Sequence, residues 1–192
     1  MDLGAFFDNE FDEQAGVAAA TKAGLKVPFE RMIAAAVRCI QGGGKILFFG
    51  NGGSAADAQH LATELTIRFI KDRPAIAALA LTTDSSTLTA AGNDIGFENI
   101  FARQIEALAK PGDLAIGIST SGNSENVIRA LKQAKAMGVT AAGFGGKGGG
   151  PMAEIADPYL VVPSDTTARI QEMHITLGHM LCGALERELG LA

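Results

Sequence analysis

The chain has 192 residues, enough for one well-buried domain and too few for two comfortable ones. A net charge of −5 without any basic stripe argues against nucleic acid as a partner, since nothing would neutralise a row of phosphates. No apolar run reaches the length of a membrane span, and Asp2, Asp8, Glu10 and Asp12 stand where a secretory leader would be basic, so a cytoplasmic chain with no membrane partner is expected.

Residues 1–25 are acidic and alanine-rich, with Phe6, Phe7 and Phe11 on one side of a helix. They predict a helical arm that packs on its own domain or on a neighbouring subunit. Residues 26–192 are expected to form the single domain proper. It opens with a helical stripe of Met32, Ile33, Ala36, Val37 and Ile40, ended by Gly42-Gly43-Gly44. Lys45 to Phe49 then reads as a buried strand, and Gly50-Asn51-Gly52-Gly53 as a turn of close backbone approach. Ser54 stands where a helix N-cap belongs, with Asp57 expected in the first turn. His60 and Glu64, at i and i+4, share one face of the helix that follows.

Apolar runs at 76–81, 114–118, 139–144 and 159–162 predict four further strands. Helices are expected at 85–91 and 97–109, separated by Gly92-Asn93-Asp94, then to about Met137, and finally over 167–189, with 145–150 as a loop. Short apolar strands alternating with helices imply a parallel sheet covered on both faces by right-handed crossovers. In such sheets ligands sit beyond the carboxyl ends of the strands, which lines up Asn51 to Ser54, Thr82 to Asp84 and Ser119 to Ser124 along one edge. Cys39 and Cys182 each lie in an apolar helical pattern and read as reduced core thiols.

Ser119, Thr120, Ser121 and Ser124 follow a strand and precede a helix. Their hydroxyls and the helix-start amides can converge on a phosphate; a serine-rich turn capped by Ser124 fits the same residues. Neither the P-loop pattern nor the dinucleotide fingerprint is present. On spacing alone, His60 with Glu64 reads as an ordinary surface pair worth ~0.3 kcal/mol.

Three segments carry a resemblance: GNGGSAADAQH at 50–60, GISTSGNSENVI at 117–128 and RIQEMHITLGH at 169–179, joined by GNDIGFENIFARQIEAL at 92–108. They resemble the signature segments of the sugar isomerase (SIS) domain family, and within it the phosphoheptose isomerases, over nearly the whole chain from Val27. The resemblance implies a three-layer α/β/α, flavodoxin-like fold with a five-stranded parallel sheet. It implies an aldose-ketose isomerase that converts sedoheptulose 7-phosphate to D-glycero-D-manno-heptose 7-phosphate through an enediol, in heptose biosynthesis. Residue by residue, it makes Glu64 and His179 the acid/base pair and His60, Glu64, Gln171 and His179 the ligands of one zinc ion per subunit. Substrate contacts carried over are Asn51, Gly52, Gly53, Ser54, Glu64, Asn93, Asp94, Ser119, Thr120, Ser121, Ser124 and Gln171. A homotetramer with sites between subunits is implied as well.

The spacing adds its own conditions. Gln171 and His179 are eight residues apart on one helix, roughly 12 Å of rise, so joint ligation of one ion needs leaning side chains or two chains. His174 does not share the face of His179 and reads as a structural histidine; Arg169 reads as structural, and Lys147 as solvated. Many family members carry an acidic residue where Ala168 stands here, with Asp165 nearby. A rival reading is a non-catalytic SIS protein that binds the replication initiator DnaA, whose relatives share much of the same motif but lack the pair at Glu64 and His179. A sugar-phosphate sensor would need a DNA-binding region for which the chain has no room.

Overall fold

The computed structural model describes residues 1–192. Five strands form one parallel sheet in the order β2-β1-β3-β4-β5: β1 (Ile46–Gly50), β2 (Ala78–Ala80), β3 (Leu114–Ser119), β4 (Thr140–Gly145) and β5 (Tyr159–Val161). Alternation along the strands sends Ile46, Phe48, Leu114, Ile116 and Ile118 into one core and Leu47, Phe49 and Ala115 into the other. The first core is closed by α2 (Lys26–Gln41), α3 (Gly53–Thr66) and α7 (Thr167–Glu188). The second is closed by α4 (Ser85–Asp94), α5 (Ile100–Leu108) and α6 (Glu125–Ala136). This is the expected three-layer architecture, preceded by the helical arm α1 (Leu3–Gly24). No helix is long and apolar enough to cross a membrane.

From β1 the chain crosses to β2 on one side, and it later resumes at β3 on the other, so the order reverses between β1 and β3. The loops beyond Gly50 and Ser119, the carboxyl ends of these neighbours, therefore face one crevice. Gly117 lets α6 lie close against the sheet, because a Cβ there would meet Val127 Cγ1 at 2.7 Å.

Several local expectations shift. β2 keeps only three of the six residues expected: it is an edge strand, and Ile76 gives its N–H to Leu65 O instead of a ladder. Gly92-Asn93-Asp94 does not interrupt its helix, which runs to Asp94 and breaks at Gly96, where φ is +89°. Residues 147–154 are tight 3₁₀ turns rather than plain loop. Cys39 and Cys182 are buried free thiols, as expected. The Phe6, Phe7 and Phe11 face of α1 is not covered by its own domain, the three rings being 51 %, 61 % and 62 % exposed. Lower on the arm, Arg169 of α7 holds Glu10 and Glu13 while Val17 and Ala18 pack on the core. Arg169 is thus structural, and Lys147 is exposed.

Candidate active site

Two helix starts meet at the β1/β3 crevice. α3 is capped by Gly52, not Ser54: Gly52 adopts φ +55°, which costs glycine least, and Ser54 is buried at the second helical position against Gly50. Asp57 consequently lies past the first turn, its Oδ2 buried without a partner, and burial pushes its carboxyl pKa upward against the opposing pull of His60. Ser124 takes the N-cap position of α6 as expected, but its hydroxyl caps no helix amide and lies instead 3.0 Å from Ser119 Oγ, while Asn123 N donates to Ser121 Oγ at 3.2 Å. The two helix starts and this hydroxyl cluster have the chemistry of an anion-accepting end without a lysine or arginine in either loop, although at α3 the amides of Ser54 and Ala55 are already given to Asn51 O and Gly52 O.

A residue that sequence reasoning passed over joins the two loops. Asn126, buried on α6, exchanges two hydrogen bonds with Asn51, each 2.9 Å, so the two side-chain amides lock the β1 turn to the β3 loop. An asparagine buried within the first turn of an otherwise apolar helix face is the signal that could have pointed to it. Tyr159 supports the same loop from below: its hydroxyl donates to Gly149 O at 2.7 Å, and Gly149 O would touch any Cβ on Gly122.

The second cluster lies further along α3. His60 Nε2 is 3.3 Å from Glu64 Oε1 and 2.9 Å from His179 Nε2, and one ligand atom from each of the three falls within 4.8 Å of the others. The packing of α3 on α7 produces this: Gly178 allows Leu61 to come so close that a Cβ would lie 2.5 Å from Leu61 Cδ2, which brings the adjacent residues His60 and His179 together with their rings tilted by 60°. The ring of Phe69 stacks on His179, centroids 5.6 Å apart. Two imidazole nitrogens and one carboxylate oxygen at this spacing suit a borderline divalent ion.

Gln171 stands elsewhere. Its amide lies against Gly53, where a Cβ would be 2.4 Å from Nε2, at the start of α3 and two turns away from His60. One chain therefore joins His60, Glu64 and His179 but leaves Gln171 with the anion-accepting end. Asn93 and Asp94 are exposed at the end of α4 and hydrogen-bond to each other at 2.7 Å, not to either loop. His174 is buried with Nε2 on Gly145 O at 3.0 Å, the structural role its position implied.

Comparison with known proteins decides the family. The SIS domain family model matches residues 11–146. The phosphoheptose isomerase of Paramagnetospirillum magneticum is 59 % identical over 186 residues, 97 % of both chains. The chain belongs to the phosphoheptose isomerase family of SIS domain proteins. The family is one of enzymes, and this chain is an isomerase by that kinship. The phosphoheptose isomerase of Aquifex aeolicus is 62 % identical over 147 residues, 77 % of each chain. Solved structures of phosphoheptose isomerases from Neisseria gonorrhoeae and Francisella tularensis superpose with TM-scores of 0.91 and 0.93, at 42 % and 35 % identity. They cover 96 % and 97 % of this chain, and 99 % and 100 % of theirs.

Proposed function

We propose that the chain converts sedoheptulose 7-phosphate to D-glycero-D-manno-heptose 7-phosphate, supplying heptose biosynthesis. The observation that carries this reading is the meeting of Glu64 and His179 with His60 in one cluster, beside a separate anion-accepting loop. The reaction moves a hydrogen between C1 and C2 through an enediol. Glu64 takes the proton from carbon and returns it to the neighbouring carbon; the imidazole of His179 carries the proton between the two oxygens. Ser119, Thr120, Ser121 and Ser124 hold the phosphate, with the α3 and α6 amides adding the positive end of each helix dipole. Asn51, Gly52, Gly53, Ser54, Asn93, Asp94 and Gln171 complete the proposed substrate contacts.

His60, Glu64 and His179 fit one Zn²⁺ per subunit, with Gln171 as a further ligand reaching in from another chain. The ion, when bound, polarises the sugar's oxygens as a Lewis acid. Glu64 lies eleven residues beyond Gly53, about 16 Å of helix rise, a long reach for one sugar phosphate within a single chain. That span supports sites shared between subunits, and a homotetramer is the assembly we propose. An apolar groove of about 980 Å³, lined by Phe29, Ile33, Val37, Phe69, His179 and Met180, gives a second copy a surface to cover. The domain proper is taken as 26–192 with 1–25 as the arm. The reaction is placed in the cytoplasm, in keeping with two free buried thiols.

The test is turnover of sedoheptulose 7-phosphate by Glu64→Gln and His179→Gln. Each is expected to lose about 10²–10⁴-fold in kcat with the fold intact. Turnover within tenfold of the parent would remove the role given to that residue and leave a binding role in its place. Dialysis against a chelator should lower turnover and added Zn²⁺ should restore it.

A further inference from the structure

A buried ion pair lies directly behind the His60–Glu64–His179 cluster. The side chains of Arg73 and Glu186 are each 1 % exposed, with Arg73 Nε donating to Glu186 Oε1 at 2.7 Å. Two further guanidinium bonds go to the end of α3, Nη2 to Glu64 O at 2.8 Å and Nη1 to Leu65 O at 2.7 Å, and Nη1 also reaches Pro74 O at 3.1 Å. The first two are last-turn carbonyls that the helix itself leaves without partners. Glu186, seven residues past His179 on α7, also accepts from Phe69 N at 3.2 Å, and the ring of Phe69 stacks on His179.

One ion pair thus holds three things: the turn of α3 that bears Glu64, the helix that bears His179, and the aromatic ring against that imidazole. Hydrogen bonding alone does not explain its burial, because Glu186 Oε2 has no partner. Two desolvated charges are a poor source of stability in themselves, since the cost of taking them out of water can exceed their attraction. A geometric role accounts for what packing does not.

We propose that Arg73 and Glu186, acting through Phe69, are positioning residues that set the distance and ring orientation between Glu64 and His179. The proposal rests on the reading of that cluster as the acid/base and metal centre. Neither side chain touches substrate in it. A shift at this support moves both reacting groups together, so it affects chemistry and ion binding rather than capture of the phosphate end.

The decisive variant is the double change Arg73→Met with Glu186→Leu, which removes both charges and leaves none buried alone. Because Glu64 O and Phe69 N lose a partner, it is expected to melt below the parent and to stay folded at the temperature of the assay. Its kcat is expected to fall about 10²-fold, as for a small misplacement of reacting groups, with KM changed far less. Binding of Co²⁺ alone, followed by its visible absorption, is expected to weaken at least about tenfold, the loss typical of a changed outer-shell partner. The ring-proton resonance of His179 is expected to move toward its position in Phe69→Leu, while that of His174 stays fixed.

A double variant with the parent's His179 resonance, Co²⁺ affinity and kcat would overturn the proposal and leave the pair as packing. If the double variant does not fold, Phe69→Leu decides, since it keeps the pair and removes only the ring: parent-like Co²⁺ affinity and kcat there also overturn it. Should the parent itself neither bind Co²⁺ nor isomerise the sugar, the reading of the cluster fails, and the His179 resonance still decides the positioning role by itself.

Discussion

His174 lies on the same helix as His179 and meets a different fate. With Nε2–H given to Gly145 O and Nδ1 buried without a partner, the imidazole has no place for a second proton, and burial pushes its pKa down to about 4. Between pH 6.5 and about 4 the unfolded chain therefore binds a proton that the folded chain refuses. Stability is fully present above that window and falls as pH drops through it, by roughly 3 kcal/mol from this one group. Urea unfolding at pH 7 and pH 4.5 measures it: His174→Gln should lose less stability between the two than the parent, and equal losses would refute the assignment. This histidine was readable from spacing alone, because five residues along a helix turn it away from the face of His179. The Arg73–Glu186 pair was not, since its partners are 113 residues apart and no local pattern joins them.

At the level of the elements, the two turns after β1 and β3 are built on glycine for steric reasons. Gly122 combines φ +63° with an approach that would put a Cβ 1.9 Å from Gly149 O. Gly122→Ala should cost more than about 2 kcal/mol, from the left-handed backbone and the contact together, and should weaken binding of inorganic phosphate. Chemical denaturation and phosphate titration check the two halves separately. Strands, crossovers and helix faces were legible because apolar periodicity is a local signal. The start of α3 lies two residues earlier than the sequence predicts, because Ser54 has the chemistry of a cap while Gly52 has the backbone freedom that the turn requires. The end of α4 was misread for the related reason that Gly92 is helical and Gly96 is the residue at positive φ. Asn126 escaped because its partner, Asn51, lies across the crevice in another loop.

Across the whole molecule, bare apolar surface gathers on the arm, at Leu3, Phe6, Phe7 and Phe11, and beside the groove at Ile70 and Met180. Phe6, Phe7, Phe11 and Met180 are all roughly half exposed or more, and the apolar groove ends at His179. Exposed aromatic rings in such numbers favour burial against another copy of the chain. Light scattering should report a tetramer, and the combined change of Phe6, Phe7 and Phe11 to Ser should shift it toward smaller species; a parent that runs as a monomer would exclude shared sites. The division of the proposed shared site between chains was the least legible feature, since a single sequence shows Gln171 and His179 on one helix but not which chain each would serve. Tyr159 adds a practical consequence. It is the only tyrosine of a chain without tryptophan, and its phenol rests on the carbonyl beneath the Ser119–Ser124 loop. The protein's intrinsic fluorescence thus originates at one spot under the anion-accepting turn, so occupancy there can be followed optically without attaching a dye.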